Sequence, residues 1–228
     1  MANDKSVRIE VPARARKQPR QDRSVALVEA LRAACLEILR NDGRDALTVN
    51  AVAERAGVSV SSLYEYYPTT EALLTEIFGA IKLELRNAAL DRLRALPADA
   101  RLIDGIETVL RVAVELLDRM GEVDPEFLAK YTRYDELVRL DLILSEKTLA
   151  ANIVDALFVR FDAEITVQDR DLAGFLTHQS LLSLMRAIAL LRPEYLHHES
   201  ALRMLGRMIE ALLTEPRSAR DGSAPREE

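Results

Sequence analysis

Residues 51–68 read AVAERAGVSVSSLYEYYP, and the spacing in this stretch decides the fold. Ala53 stands four residues before Gly57, and Val58, Ser59 and Leu63 follow. That is the spacing of two short helices joined by a tight turn. Ala53 must be small because the second helix crosses close to it. Gly57 is free to adopt the left-handed conformation the turn requires. Val52, Val58 and Leu63 are expected to fill the small core between the helices. Ser59 caps the second helix, which runs from Val60 to about Tyr66 until Pro68 ends it. The positive N-terminal end of that helix then faces outward, where it suits a phosphate. Its exposed first turn, Val60-Ser61-Ser62, is shaped to enter a major groove.

The stretch also gathers Tyr64, Tyr66 and Tyr67 in a chain with six tyrosines, five phenylalanines and no tryptophan. Counting from the inward-pointing Leu63, Tyr64 falls toward the DNA backbone. Tyr66 is assigned a backbone or sugar contact at the end of the helix. Tyr67, four residues past Leu63, is expected in the core.

Working outward, the flanking sequence is helical. Val25, Val28, Leu31, Cys35, Leu36, Ile38 and Leu39 recur at three- and four-residue steps, and Gly43 closes that helix. Thr48 caps the helix that carries Val49, Val52 and Ala53. From Thr70 the periodic segments lengthen, with expected helices at about 70–96, 98–120, 135–161, 166–191 and 198–215, and a short one from Asp124-Pro125 through Tyr131. The fold class is all-α: a three-helix head and a larger helical body. The expected divisions are a flexible basic arm at 1–22, the head at 23–69, the body at 70–215 and a disordered tail at 216–228.

Composition agrees. Hydrophobic residues make up 49% of the 228 and charged residues 30%, with Leu and Ala in place of β-branched runs. The net charge of −6 argues against nucleic acid, but its distribution reverses that reading. Residues 1–23 hold seven Lys/Arg against Asp4, Glu10 and Asp22, so the basic charge is gathered at one end. The alternative for residues 1–16 is a solubilising tail. The N-terminus lacks the apolar centre of a secretory signal, no apolar run approaches a bilayer span, and Cys35 has no internal disulfide partner. A cytoplasmic protein with no membrane association is expected. Cys35 itself reads as a buried small hydrophobe.

The segment DALTVNAVAERAGVSVSSLYEYYPTTEALL, residues 45–74, resembles the DNA-binding signature of the TetR (tetracycline repressor-like) family of transcriptional regulators. The match extends over about Arg23 to Leu74. The resemblance implies a homodimer whose heads sit on a long fourth helix. It also implies a small-molecule pocket in the body, a four-helix dimer interface from the last two long helices, and release of a palindromic double-stranded DNA operator when a small organic effector swings the heads apart. No cofactor, metal or catalytic role is implied. Two positions depart from the family pattern: Thr70 stands where a phosphate-contacting Lys is common, and Leu39 where Phe is common.

On this reading the DNA-binding set is Arg20, Arg23, Thr48, Asn50, Ser59, Val60, Ser61, Ser62, Tyr64, Tyr66 and Thr70. Arg14, Arg16 and Lys17 extend toward a minor groove. Serine hydroxyls reach either kind of base edge, Val60 a thymine methyl, and Asn50 an adenine. The effector-pocket set is Met120, Phe127, Tyr131, Tyr134, Phe175, His178, Gln179 and Met185: apolar walls with a few polar groups. The dimer set is Leu181, Leu184, Ile188, Leu205, Met208, Ile209 and Leu212, an apolar stripe. Core packing is the alternative for each member of these two sets.

The rival readings are an all-α small-molecule enzyme and a scaffold whose helix-turn-helix is only structural. Glu194-x-x-His197 is half of a di-iron motif without its second copy, and it follows Pro193 at a helix junction. No Ser/His/Asp order, Gly-rich phosphate loop or CxxC is present. A scaffold gives no reason for the head's spacing.

Overall fold

The computed structural model describes residues 15–16, 22–124 and 150–214, and among these the chain is helical without strands. The helices are α1 (Asp22–Asn41), α2 (Val49–Arg55), α3 (Val60–Tyr66), α4 (Thr70–Ala95), α5 (Leu102–Val123), α6 (Ala150–Arg160), α7 (Arg170–Leu191) and α8 (Glu199–Leu213). Single 3-10 turns lie at Arg44–Ala46 and Pro193–Tyr195. The expected helix around Pro125–Tyr131 and the first part of that at 135–161 fall outside the described residues.

The chain forms two compact units. The first contains α1–α3, α4 through Leu85 and α5 from Glu115. The second contains α4 from Arg86, α5 through Val114, and α6–α8. The third helix ends at Tyr66 and α4 begins at Thr70, and the compact unit that holds them takes in the first part of α4 and the end of α5.

In the first unit, α1 buries Val28, Leu31, Cys35, Ile38 and Leu39, the periodic face its sequence shows. Asp42 and Gly43 both donate their N–H to the Ile38 carbonyl, and Gly43 takes φ 80°, so the helix closes on its glycine. Val52, Ala53, Leu63 and Tyr67 complete the core with Leu73, Ile77 and Phe78 of α4. Burial pushes the Cys35 thiol up to about 12 and raises Tyr67 as well.

In the second unit, α5 begins at Leu102, four residues later than the sequence predicts. Pro97–Ala100 is spent in a turn, and the first helical N–H groups are met by side chains. Asp104 accepts from Arg101 N at 2.8 Å and Glu164 accepts from Leu102 N at 2.9 Å. The α7 helix also starts late, at Arg170, with Asp169 as its cap. Thr166 and Val167 instead donate to the Leu213 carbonyl at the end of α8. Arg160 covers the Leu96 and Pro97 carbonyls, at 3.1 and 2.7 Å. Gly105 lets the Phe161 ring lie directly on α5, since a Cβ there would stand 2.2 Å from that ring.

By length and composition α7 is long and apolar enough to cross a membrane, a test that the core helix of a soluble protein also passes. It nonetheless carries Thr177, His178, Gln179, Ser180, Ser183 and Arg186.

Candidate nucleic-acid interface

The interface is built by two caps and one glycine. Thr48 Oγ1 accepts from Ala51 N at 3.1 Å and opens α2. Gly57, at φ 68°, turns the chain, and Val58 N returns to the Ala53 carbonyl at 3.0 Å. Ser59 Oγ accepts from Ser62 N at 3.1 Å and opens α3. It also lies 2.8 Å from the hydroxyls of both Ser61 and Ser62, so three hydroxyls cluster at one helix N-terminus. Ala53 and Leu63 are buried beneath this surface.

Of the expected contacts, Arg23, Thr48, Asn50, Ser59, Ser61 and Tyr64 are exposed, and Val60 and Ser62 are half-buried. Arg20, with Arg14 and Lys17, lies outside the described residues. Two members of the set have to be corrected. Tyr66 is only 5% exposed against 43% for Tyr64, so it packs the head and is not surface available to DNA. Residues 63, 66 and 67 share one face of α3, because steps of three and four return to the same side of a helix. Thr70 is only 7% exposed, and its hydroxyl donates to Glu71 at 3.4 Å. The cap of α4 is Thr69, whose Oγ1 accepts from Ala72 N at 3.2 Å. Thr70 therefore starts the helix facing inward.

One feature was not foreseen. Arg16 donates its backbone N–H to the Tyr66 carbonyl at 2.7 Å and a guanidinium N–H to the Tyr64 carbonyl at 3.3 Å. These carbonyls end α3, where helical partners run out. Arg16 is thus tied to the end of the helix whose other end carries the serines.

Residues 31–77 match the family model described as bacterial regulatory proteins, tetR family. The match takes in most of α1, all of α2 and α3, and the start of α4. The tetR likeness extends to the whole fold. FadR of Thermus thermophilus, a TetR-family transcriptional repressor in complex with lauroyl-CoA, superposes with a TM-score of 0.56 at 22% identity, over 87% of this chain and 98% of that one. FadR of Bacillus halodurans, a fatty acid degradation regulator, gives 0.52 at 12%, over 88% and 99%. A TetR-family transcriptional regulator from Streptomyces coelicolor gives 0.52 at 17%, over 82% and 97%. No curated protein matches the chain.

Outside the tetR head, the two body sets divide differently from expectation. Met120 is buried in the first unit and Met185 in the second. Phe127, Tyr131 and Tyr134 lie outside the described residues. His178 and Gln179 are half-buried. Phe175 is 58% exposed, so it does not line an interior pocket; it joins Leu172 and Leu176 on the outer face of α7. In the dimer set, Ile209 is buried in the core of its own unit and lines, with Leu181, Thr177, Ile106 and Leu157, a small apolar cleft. On α8, Met204 and Met208 are exposed and Leu205 and Leu212 are half-buried. Leu184 and Ile188 are half-buried. Of the discarded metal half-motif, Glu194 accepts from Arg192 Nε at 2.5 Å, which engages that carboxylate.

Proposed function

We propose that this chain is a ligand-responsive transcriptional regulator, a repressor released from its operator by a small organic effector. The observation that carries the reading is the Ser59-capped N-terminus of α3: exposed, hydroxyl-rich, and set within the tetR-family match. DNA is held by sequence-independent contacts from Arg23, Tyr64 and the basic arm, while Asn50, Val60, Ser61 and Ser62 read base edges. Because the readers are short and uncharged, discrimination at each base pair is modest, and backbone contacts dominate affinity.

The protein acts as a dimer through α7 and α8. Leu172, Phe175, Leu176, Met204 and Met208 form exposed apolar surface on these helices, more than a monomeric regulator has reason to display. The effector shifts the population away from the spacing of heads that fits an operator. The lauroyl-CoA complex of the Thermus thermophilus relative makes long-chain acyl-CoA the first class to test.

Purified protein should retard duplex fragments from a genomic library at low salt and sediment as a dimer. Lauroyl-CoA should raise its melting temperature and release the duplex, whereas coenzyme A alone should do neither. Retention of no duplex at low salt would end the DNA reading. Failure of lauroyl-CoA alone would end only the effector class.

A further inference from the structure

Among the described residues of the first unit, the ion pair between Arg44 and Asp124 is more deeply buried than those of Arg32, Arg55 and Arg119. Arg44 donates from a guanidinium nitrogen to Asp124 Oδ2 at 3.1 Å, and the two side chains are 14% and 1% exposed. Arg44 opens the single turn between α1 and α2. Asp124 directly follows α5 and still donates its N–H to the Met120 carbonyl at 3.0 Å. Eighty residues separate them in sequence. Cys35 of α1, fully buried, senses both charges. The other pairs of this unit are more open: Arg55 with Glu37 and Asp42, Arg119 with Glu84, and Arg32 with Glu76.

Burial decides what each kind of pair can do. Exposed pairs slide and re-form in water, and contribute little. Drawing a cation away from a carboxylate that has almost no access to water is costly. The α1–α2 corner therefore cannot drift gradually from the end of α5. It is either joined to it or displaced far enough for water to enter. The recognition helix α3 packs on α2 and must follow that corner.

We propose that Arg44 and Asp124 are positioning residues for operator readout, holding the helix-turn-helix in the register that reads bases and carrying to it the state of the end of α5. The inference rests on the regulator reading above. Positioning matters to base readout, which needs a fixed geometry, far more than to phosphate attraction, which tolerates movement.

The test uses the full chain and two duplexes: one that the wild-type protein selects from a random-sequence library, and a shuffled version of it. The double variant Arg44→Met/Asp124→Leu removes both charges and keeps an apolar fill, so the fold is retained. Its preference for the selected duplex should fall about tenfold, within the usual range of coupling between sites, while binding to the shuffled duplex stays within about twofold. Arg44→Lys keeps the buried charge and should hold the preference to within about threefold of wild type. An unchanged preference in the double variant overturns the proposal. So does an equal loss on both duplexes, the mark of a mere brace, or a preference lost in a folded Arg44→Lys protein. A wild-type protein that selects no duplex would overturn the regulator reading, and the proposal with it.

Discussion

Substitution of Ser59 separates the two tasks this residue performs. Its Oγ accepts from Ser62 N at 3.1 Å and opens a helix of seven residues, too short to hold its first turn without help. Ser59→Ala removes the cap and should cost about 1 kcal/mol of stability. Ser59→Asp restores the cap and places a negative charge at the positive end of the helix, which should return that loss and add about 0.3–1 kcal/mol. If α3 presents this end to a phosphate, the same carboxylate meets a like charge. At about 4 Å the repulsion is ~1 kcal/mol in bulk water and ~4 kcal/mol at the effective dielectric near a protein surface. Duplex binding by Ser59→Asp should therefore weaken by about fivefold or more while the protein melts no lower than wild type. Ser59→Ala should lose stability and at most about fivefold in affinity, because an unformed first turn must be ordered on binding. Urea denaturation and fluorescence anisotropy with a labelled duplex give both numbers. A Ser59→Asp protein that is as stable as wild type and binds equally well would refute the outward-facing helix end.

The two tyrosines on either side of the surface should part company. Tyr64→Phe should leave the melting temperature unchanged and weaken both selected and shuffled duplexes, whereas Tyr66→Ala should destabilise the head by about 3–5 kcal/mol, as loss of a buried aromatic does. The buried thiol gives a pH dependence. Its folded value of about 12 lies above the ordinary value near 9, so the unfolded chain releases the proton first and stability falls as pH rises between them. By pH 10 the loss from Cys35 alone should be about 1.4 kcal/mol by urea denaturation, with Tyr67 adding to it; Cys35→Ala should flatten the profile between pH 8 and 10. In the second unit, Gly105→Ala places a Cβ 2.2 Å from the Phe161 ring and 2.8 Å from Leu157 Cδ1. It should cost about 1–3 kcal/mol by thermal or urea unfolding, and an unchanged midpoint would show that α5 and Phe161 are not in close contact.

The head was legible because its determinants are local. A glycine at a positive φ, two hydroxyl caps and an apolar step of three and four residues each act within one turn of helix. Tyr66 was misread although the same rule covers it, since a step of three from Leu63 returns to the buried face as surely as a step of four. Thr70 was placed on the surface because it stands where a phosphate-contacting lysine is common, yet it starts α4 facing inward. The body was less legible for a different reason. In α7 and α8 apolar residues occupy most of the circumference, so periodicity alone does not separate Ile209, which faces the core, from Met208, which faces out. Arg44 and Asp124 had no local signal at all: their meaning arises from a contact across eighty residues.

The central claim, that α3 reads duplex DNA, is tested most directly by selection. Full-length protein should be taken through repeated rounds of binding to a random-sequence duplex library, with Tyr64→Phe and Ser59→Asp proteins in parallel. The account predicts enrichment of a two-fold symmetric sequence by the wild type and weaker or no enrichment by the variants. A library that emerges from the wild-type protein unenriched, at low salt and with the protein folded, would contradict it.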